Sequence, residues 1–493
     1  MSQRIEAKHD GAPRVPFRTK VAWGSGGLAD NFLGWSIAFL ALPIYNIALG
    51  VDPVLIGIIL AVPRVMDAFL DPLAGNLSDN TRSRWGRRRP WILGAGLAAA
   101  IFYVLAWMPP LAVDVKLVAV YILITTVLYM CAYSFFTIPY SALGIELSED
   151  YHERTSIMSA RLFFAALGQI IMTWMLRASV WVGERSGPAG YPHPELLGIR
   201  WVGGLVGLII VLCVLLPVLV CREKAAVQTQ EKIRLGQALR LTMKNRAFLL
   251  NAGTLFTAVV GLQIVSPIGY YLGYYYVFTG DIKRTTELSG WCGMCYGVMG
   301  IVLIPVNNAL SRRYGKKTVL LAGQALTMLG AVSTWFLVVP AHPWWGLIPN
   351  LLIATGQPAI WLLLGSIGAD ICDLDELDTG LRREGMYGAV TALIFKCGLG
   401  LSSLTSGYLL FFSGLNTAAA KNGIMPTMDV ILRMRLLYVA VPVVLILLGM
   451  VLTAWVPVTE KRMLQVRSAL NARRRQIQVE CERTSPAFSQ NSA

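Results

Sequence analysis

Three ionisable residues, Arg64, Asp67 and Asp71, fall within eight positions of an otherwise apolar stretch. At spacings of three and four residues, they share one face of a helix. The run from Ile56 to Val62 just before them is apolar, which is typical of a membrane span. A charge near the centre of a bilayer costs at least about 2.5–3.5 kcal/mol. The three side chains therefore need counter-charges, water or a bound ion, and the pattern predicts an ion-coupling face.

The two aspartates are one helical turn apart, so both carboxylates can hold one hard cation through oxygen ligands. Two like charges this close also favour protonation of one carboxylate, so a proton can take the place of sodium. We therefore expect Asp67 and Asp71 to form the coupling site for Na⁺ or H⁺. The alternative is an ion-pair network that only locks helices together.

Three more charges stand out within the apolar spans: Asp30 in the first, Arg161 early in the fifth and Lys396 midway through the eleventh. Three acids against three bases sum to zero, so the interior is neutral if all six converge. Lys396 and Arg64 are then expected to balance the empty cation site. A bound cation changes this local charge and can bias a conformational equilibrium. Arg161, near the end of its span, has snorkelling towards the interface as an alternative.

Uncharged side chains complete the candidate site. The fourth span carries the hydroxyls of Tyr133, Ser134 and Thr137 without a carboxylate. Trp361 lies too deep in the tenth span to mark a membrane interface, as many Trp and Tyr side chains do. Stacking of Trp361 on an apolar face of a substrate is the interpretation that we favour.

The composition identifies an integral membrane protein. Of 493 residues, 55% are apolar and only 14% are charged, against about 25% charged in soluble domains. Met1 to Lys20 is polar and basic, without the apolar core of a cleavable signal peptide. Spans of about 20 apolar residues cross a bilayer. Twelve are expected, at about 22–48, 54–76, 91–110, 117–143, 156–181, 200–221, 247–278, 289–310, 318–339, 345–371, 385–412 and 432–457.

The placement of the basic residues predicts the topology. Basic clusters occupy 82–89, 222–246, 312–317 and 461–483, all on one side of the twelve spans. The positive-inside rule puts that side, and both termini, in the cytoplasm, so we expect a multi-pass protein of the cell (inner) membrane. The formal charge of +15 then reflects topology and contact with anionic membrane lipid, and no nucleic-acid partner is expected.

An internal repeat predicts two halves. The tetrapeptide W-G-R-R at 85–88 recurs as Y-G-K-K at 314–317, and Arg154 and Arg383 follow acidic runs at the same offset of 229 residues. Parallel six-helix halves are the architecture of one large transporter superfamily. The expected division is a half at 1–221, a cytoplasmic linker at 222–246, a half at 247–458 and a basic tail at 459–493. Short basic loops can also resemble each other by chance.

The loop after the second span is interpreted as a gate. Asp79 can pair with an arginine across this loop or hold a neighbouring helix end, and Arg82, Arg84 and Arg87 are assigned to the same gate loop. For the arginines taken singly, a role in topology alone is the alternative.

Metal and enzyme chemistry find little support in the sequence. Cys292 and Cys295 form a C-x-x-C, but four zinc ligands are needed and no histidine or second pair is nearby. The four histidines lie outside or at the edges of the spans. We expect no catalytic residue and no cofactor apart from the coupling ion.

The run from Arg64 to Gly86, R-x-x-D-x-x-x-D-P-x-x-G-x-x-x-D-x-T-R-S-R-W-G, resembles the glycoside–pentoside–hexuronide:cation symporters of the major facilitator superfamily. The resemblance covers nearly all twelve spans. Its other segments are Gly24 to Asp30, the Ile138-Pro139 step, Ala369 to Asp373 and Phe395 to Gly398.

The resemblance implies an all-α fold of two parallel six-helix halves, with alternating access and import of a sugar or glycoside. It assigns Asp67 and Asp71 to the cation, with Ser134 at the position of a hydroxyl ligand. The sugar-contacting positions that it implies are Asp30, Arg161 and Trp361.

The sequence departs from the melibiose carrier at two positions beside the proline step of the fourth span. Thr137 replaces a sugar-binding carboxylate and Ser141 replaces a tryptophan, so a galactoside substrate is not implied. The same family includes carriers of lysolipids, which leaves a lysolipid or another amphiphile as the alternative substrate. A non-transporting membrane sensor is the alternative from another class. We expect the chain to act as a monomer.

Overall fold

The protein folds into a bundle of helices, as a computed structural model shows. The structure describes residues 15–110, 113–148, 151–188, 193–221, 223, 242–380, 383–415, 424–460, 462–466, 468–470, 472–473 and 476. Twelve helices in these ranges are long and apolar enough to cross a membrane. They are α1 (Phe17–Ala48), α2 (Pro53–Asn80), α3 (Arg89–Ala106), α4 (Val115–Glu146), α5 (Tyr151–Ser186), α6 (Pro194–Val220), α7 (Arg246–Val277), α8 (Ile282–Tyr314), α9 (Lys316–Leu337), α10 (Pro343–Thr379), α11 (Glu384–Phe412) and α12 (Met428–Trp455).

Capping residues set several of the helix ends. The carboxylates of Asp52, Asp114 and Asp281 accept hydrogen bonds from the first backbone N–H groups of α2, α4 and α8. These bonds satisfy donors that have no partner within the helix. Because Asp281 starts α8 ahead of its apolar part, this helix begins seven residues before the predicted span. Gly380, at a φ of 73°, ends α10 in the left-handed region that glycine adopts without strain.

The two halves repeat the same helix pairings. In the first half α1 packs on α5 and α6, α3 packs on α4 and α6, and α2 packs on α4. In the second half each of these pairs recurs with the helix numbers raised by six. The prediction of twelve spans in two parallel six-helix halves is therefore confirmed. The predicted linker and basic tail lie largely outside the described residues.

Close packing of helices joins the halves on one side of the membrane. We call the side where α1 begins and α12 ends the terminal face, and the other side the opposite face. Helix α2 packs on α11, and α5 packs on α8. A Cβ atom at Gly407 would lie 2.3 Å from the carbonyl oxygen of Pro53, and one at Gly293 would lie 2.0 Å from the side chain of Thr173. Glycine is needed here because the helices approach so closely, and the halves are closed towards the opposite face.

Polar contacts reinforce the closure near the opposite face. The Tyr271 hydroxyl donates a 2.6 Å hydrogen bond to the side-chain oxygen of Asn46, which joins α7 to the end of α1. Lys283 and Glu184 form a 2.9 Å ion pair between α8 and α5. The second of these is largely exposed and contributes little to stability.

Candidate functional site

The aspartates of α2 meet a lysine from the other half of the protein. The ammonium nitrogen of Lys396 in α11 lies 2.8 Å from Asp67 Oδ2 and 2.5 Å from Asp71 Oδ2. The hydroxyl of Ser134 in α4 donates a hydrogen bond to Asp67 Oδ1. We call these four side chains the carboxylate cluster. With its three charged groups ionised, it carries one negative charge in excess.

The carboxylate cluster is shielded from solvent to different degrees. Asp67 is 1% exposed and Ser134 is fully buried. Asp71 lies one turn closer to the terminal face, and its side chain remains 22% exposed. Its Oδ1 atom is nevertheless buried and accepts no hydrogen bond from any residue in the described ranges. A buried carboxylate oxygen without a donor is costly, so this atom offers a free ligand position.

A second cluster forms around Asp30 on α1. Its Oδ1 atom accepts hydrogen bonds from the hydroxyls of Tyr133, at 3.0 Å, and Thr137, at 2.7 Å, both on α4. Arg161 of α5 lies 3.0 Å from Asp30 Oδ2. Its guanidinium group also lies over the ring of Tyr140, 5.3 Å from the ring centre. We call Asp30, Tyr133, Thr137 and Arg161 the Asp30 cluster. Since Arg161 pairs with this carboxylate, it does not turn towards the interface.

A cavity of about 650 Å³ lies between the halves, and we call it the central cavity. Arg64 is charged, and every other described residue of the lining is neutral. The aromatic side chains of Trp35, Trp361 and Phe395 contribute to the lining. The hydrogen-bonding groups include Gln169, Ser289, Thr327, Asn350 and Gln357. Aromatic faces combined with neutral donors and acceptors suit a substrate rich in hydroxyl groups.

Arg64 does not form an ion pair with a described carboxylate. Its guanidinium group donates a hydrogen bond to the carbonyl oxygen of Gly34 and lies 5.8 Å from the ring centre of Trp35. It is 9% exposed. The positive charge is thus fixed on a backbone carbonyl and an aromatic ring at the edge of the central cavity.

The predicted site residues therefore form separate groups. The six charges do not form one network among the described residues: three are in the carboxylate cluster, two are in the Asp30 cluster and Arg64 stands apart. Trp361 lines the central cavity, where its ring meets Phe395 edge to face at 6.1 Å. Thr137 and Arg161 are not among the residues of that lining.

The loop between α2 and α3 is tied into the first half. Asp79 lies 3.3 Å from Arg88, and Arg88 lies 2.9 Å from Glu146 at the end of α4. Arg87 also pairs with Glu146. Arg82 is exposed, without a carboxylate within ion-pair distance in the described part of the chain. Asp79 thus does pair with an arginine of its own loop.

Arg84 is exposed like Arg82, and it lies over the ring of the adjacent Trp85, 6.0 Å from the ring centre. Among the described residues no carboxylate pairs with it. Neither of these two predicted gate arginines forms a latch in this conformation.

Sequence reasoning missed a carboxylate that organises this loop. The side chain of Glu223, just after α6, accepts hydrogen bonds from the backbone N–H groups of Arg87, Arg88 and Arg89 at 2.8–3.0 Å. Gly86 precedes them at a φ of 99°, and a Cβ atom there would lie 2.7 Å from the carboxylate. The W-G-R-R sequence thus forms a carboxylate cradle at the start of α3. A glycine directly before three arginines was the signal that the sequence offered for this site.

The two cysteines of the C-x-x-C remain free thiols. Cys292 lines the central cavity, and its neighbour Cys295 lies one turn further along α8. No group of three or more His, Cys, Asp or Glu side chains in the described ranges has the geometry of a metal site.

Comparison with known proteins identifies the family. A family model described as MFS/sugar transport protein matches residues 22–460, which is most of the chain. The protein belongs to this family of membrane transporters. The resemblance to cation-coupled glycoside symporters that the α2 sequence suggested is thereby confirmed.

Individual proteins match this chain over almost their full length. A glucuronide carrier protein homolog of Escherichia coli (strain K12) is 24% identical, over 92% of this chain and 95% of its own. Sodium-dependent lysophosphatidylcholine symporter 1 of Gallus gallus is 26% identical, over 95% of this chain and 92% of its own. The crystal structure of a D-xylose-proton symporter shares the fold, with a TM-score of 0.65 at 16% identity, over 91% of this chain and 99% of that one.

Proposed function

We propose that this protein is a symporter that couples the entry of Na⁺ or H⁺ to the uptake of a sugar or glycoside by alternating access. One observation carries the proposal: an ammonium group of the second half, on Lys396, contacts both carboxylates of Asp67 and Asp71 in the first half. Any cation that binds these carboxylates competes with a contact that joins the two halves.

The competition supplies a physical basis for coupling. In the cation-free protein, Lys396 occupies the position between the carboxylates. A bound cation ligated by Asp67, Asp71 and the Ser134 hydroxyl takes over the positive charge that Lys396 supplies to them and releases Lys396. A ligand shifts a conformational equilibrium by as much as its affinity differs between the two states. Cation binding therefore changes the free energy of the contact between α2 and α11, along which the halves separate.

The substrate site is assigned to the central cavity together with the Asp30 cluster. Trp361 offers an aromatic face, and the neutral amides and hydroxyls of the cavity suit the hydroxyl groups of a sugar. In the Asp30 cluster the Arg161 guanidinium group is a charged donor and the Asp30 carboxylate a charged acceptor. The Thr137 hydroxyl adds a neutral hydrogen-bonding group. Arg64 balances the remaining negative charge of the carboxylate cluster from the edge of the cavity.

The orientation follows from the positive-inside rule. We assign the terminal face to the cytoplasm and the protein to the cell inner membrane, with residues 222–246 as the linker between the halves. Closure at the opposite face then makes this the conformation whose site communicates with the cytoplasm. The chain acts as a monomer, because each half supplies part of the coupling site.

A second candidate substrate is a lysolipid or another amphiphile. Many apolar side chains, such as Leu60, Met172 and Leu262, line the central cavity beside the single charge of Arg64. This combination favours a substrate with an apolar chain and a charged group. The lysophosphatidylcholine symporter of Gallus gallus supports it as well, since it matches most of the chain.

Uptake by proteoliposomes tests the proposal. Purified protein is reconstituted and loaded with an inward Na⁺ or H⁺ gradient, and radiolabelled methyl glycosides, a phenyl glucuronide and lysophosphatidylcholine are offered in turn. We expect gradient-driven accumulation of a glycoside, and its loss in Asp67→Asn and Asp71→Asn. Asp114→Asn is the matched control, because Asn caps α4 as well as Asp does.

Two results would contradict the proposal. Undiminished gradient-driven accumulation in both α2 variants removes the carboxylate cluster from coupling. Accumulation of lysophosphatidylcholine but of no glycoside establishes the second candidate instead.

A further inference from the structure

A groove separate from the central cavity lies on the outer surface of the first half, near the terminal face. Its volume is about 520 Å³, and it is formed by α3, α4 and the residue that follows α2. None of the described residues that line the central cavity comes from α3, α4 or α6. The groove therefore faces the surrounding bilayer and not the transport pathway. Its lining residues are Thr81, Pro90, Trp91, Gly94, Ala95, Ala98, Ala132 and Phe135.

Small residues create the depth of this groove, and a fixed aromatic pair forms one wall. A Cβ atom at Gly94 would meet no other atom within 4 Å. Trp91 donates a 2.7 Å hydrogen bond to the Thr81 hydroxyl and stacks on Phe135, with 5.6 Å between ring centres. From Trp91 to Ala98 the groove follows α3 for about 10 Å, at about 1.5 Å per residue. One leaflet of hydrocarbon is about 15 Å thick, so the groove lies within a single leaflet.

The basic loop at the end of the groove has two kinds of arginine. Arg87 and Arg88 pair with Glu146, and Arg89 donates to the carbonyl oxygen of Val218. Each of these three guanidinium groups thus has a partner within the protein. Their backbone N–H groups are satisfied by the same protein, as described above.

Arg82 and Arg84 are different. Both are exposed, and no carboxylate within the described ranges pairs with either. Arg82 directly follows Thr81, a lining residue, so its backbone begins at the mouth of the groove. Arginine binds phosphate oxygens through two parallel hydrogen bonds. A basic residue at the surface of an anionic membrane is attracted to the lipid head groups.

From these observations we propose that the groove binds one phospholipid with an anionic head group, taken from the leaflet at the terminal face. One acyl chain lies along α3 over Gly94 and Ala98, and the phosphate is held by Arg82 and Arg84. The two arginines that pair with no carboxylate in the described ranges thereby gain an anionic partner from the membrane.

A second copy of the chain is the competing occupant, because Gly94 and Ala98 are spaced as in helix pairs that pack through small residues. The groove is concave and ends at two positive charges that pair with no described carboxylate, and a second copy would bring the same two charges. We therefore favour the lipid.

Native mass spectrometry of the detergent-solubilised, delipidated protein tests this site, with dioleoylphosphatidylglycerol or dioleoylphosphatidylcholine added back. Gly94→Leu fills the groove, and Ala98→Leu does so at a second position. Gly204→Leu is the matched control, because a Cβ atom at Gly204 on α6 also meets nothing within 4 Å. Arg82→Gln combined with Arg84→Gln removes the head-group charges. Arg312→Gln combined with Arg313→Gln is the control for this double variant, because both arginines are exposed and belong to the second half.

We expect the wild-type protein to retain phosphatidylglycerol more tightly than phosphatidylcholine. Each leucine variant and the Arg82/Arg84 variant should retain one phosphatidylglycerol fewer, and both controls should match the wild type. Equal retention by the leucine variants would overturn the acyl-chain site, and an unchanged preference in the Arg82/Arg84 variant would overturn the head-group site. A smaller dimer fraction in Gly94→Leu at constant lipid content would show that a second copy occupies the groove.

Discussion

The ammonium nitrogen of Lys396 lies 2.8 Å from Asp67 Oδ2, and this contact joins the second half of the protein to the first. The same nitrogen lies 2.5 Å from Asp71 Oδ2. The buried carboxylate of Asp67 and the half-buried carboxylate of Asp71 thus share the ammonium group of one lysine. Since the contact links the halves, whatever replaces Lys396 between the carboxylates also acts on the arrangement of the halves.

Lys396→Met should raise the affinity for the coupling cation by about tenfold or more. The substitution removes the ammonium group that competes for Asp67 and Asp71 but keeps the length of the side chain. A tenfold change in affinity corresponds to about 1.4 kcal/mol. The midpoint of a cation titration, followed by thermal unfolding of the purified protein, measures it. Lys283→Met removes an exposed lysine and serves as control. A loss of the cation response in Lys396→Met would show that the lysine is needed for binding.

Ser134→Ala should weaken cation binding by about tenfold, because hydrogen bonds and ligands to charged groups contribute about 1.5–3 kcal/mol. The same titration measures the change. Ser179→Ala is the matched control: this serine is also buried, and its hydroxyl donates to the Met175 carbonyl of its own helix. An equal loss of affinity in both serine variants would assign the effect to packing and not to the cation.

Thr137→Val should raise the KM for the transported substrate several-fold and leave the cation response unchanged. Valine keeps the shape of threonine but removes one of the hydrogen bonds to Asp30. Thr137→Ser should restore the KM, because it restores the hydroxyl. Uptake kinetics in proteoliposomes measure both. A Thr137→Val variant with wild-type KM would exclude the Asp30 cluster from substrate binding.

Gly407→Ala should open the opposite face. The added Cβ atom would lie 2.3 Å from a backbone oxygen of Pro53, which has no side-chain freedom to move away. We expect a membrane-impermeant thiol reagent, added from the opposite face, to modify Cys292 in the central cavity several-fold faster. Peptide mass spectrometry follows that cysteine separately from the others. Gly365→Ala is the control, because a Cβ atom at Gly365 would meet no other atom within 4 Å. Equal rates of Cys292 modification in Gly407→Ala and wild type would contradict closure at the opposite face.

Much of the fold was accessible from the sequence because the bilayer imposes strict rules. Twelve apolar spans of sufficient length can only be helices, since every backbone group in hydrocarbon must find a partner within the segment. The 229-residue offset between the two basic tetrapeptides predicted the repeated pairing of helices. The charges of α2 could be singled out because their cost in a membrane is large.

The partners of these charges were less accessible. Arg64, Asp67 and Asp71 share a helix face, but the pattern did not show that Arg64 turns to the Gly34 carbonyl while Lys396 approaches the aspartates. Which side chains converge depends on helix rotation and crossing, and a single sequence carries no record of either.

The loop after α2 shows the same limit. Arg87 and Arg88 are neighbours in a run of identical residues, and Glu146 and Glu223 are far from them in the sequence. Only the structure shows that the guanidinium groups pair with Glu146 while the backbone N–H groups bind Glu223. The start of α8, which the Asp281 cap sets, also lay beyond a hydropathy pattern.

The central claim is that Asp67 and Asp71 bind the coupling cation in competition with Lys396. Thermal unfolding of the purified protein tests it most directly, titrated with NaCl against choline chloride at fixed pH and with acid in Na⁺-free buffer. A ligand at 100 times its Kd stabilises a protein by about 2.7 kcal/mol. We predict saturable stabilisation of the wild type and of Asp114→Asn by one of the two cations, and none in the double variant Asp67→Asn/Asp71→Asn. The same saturable stabilisation in the double variant would contradict the account.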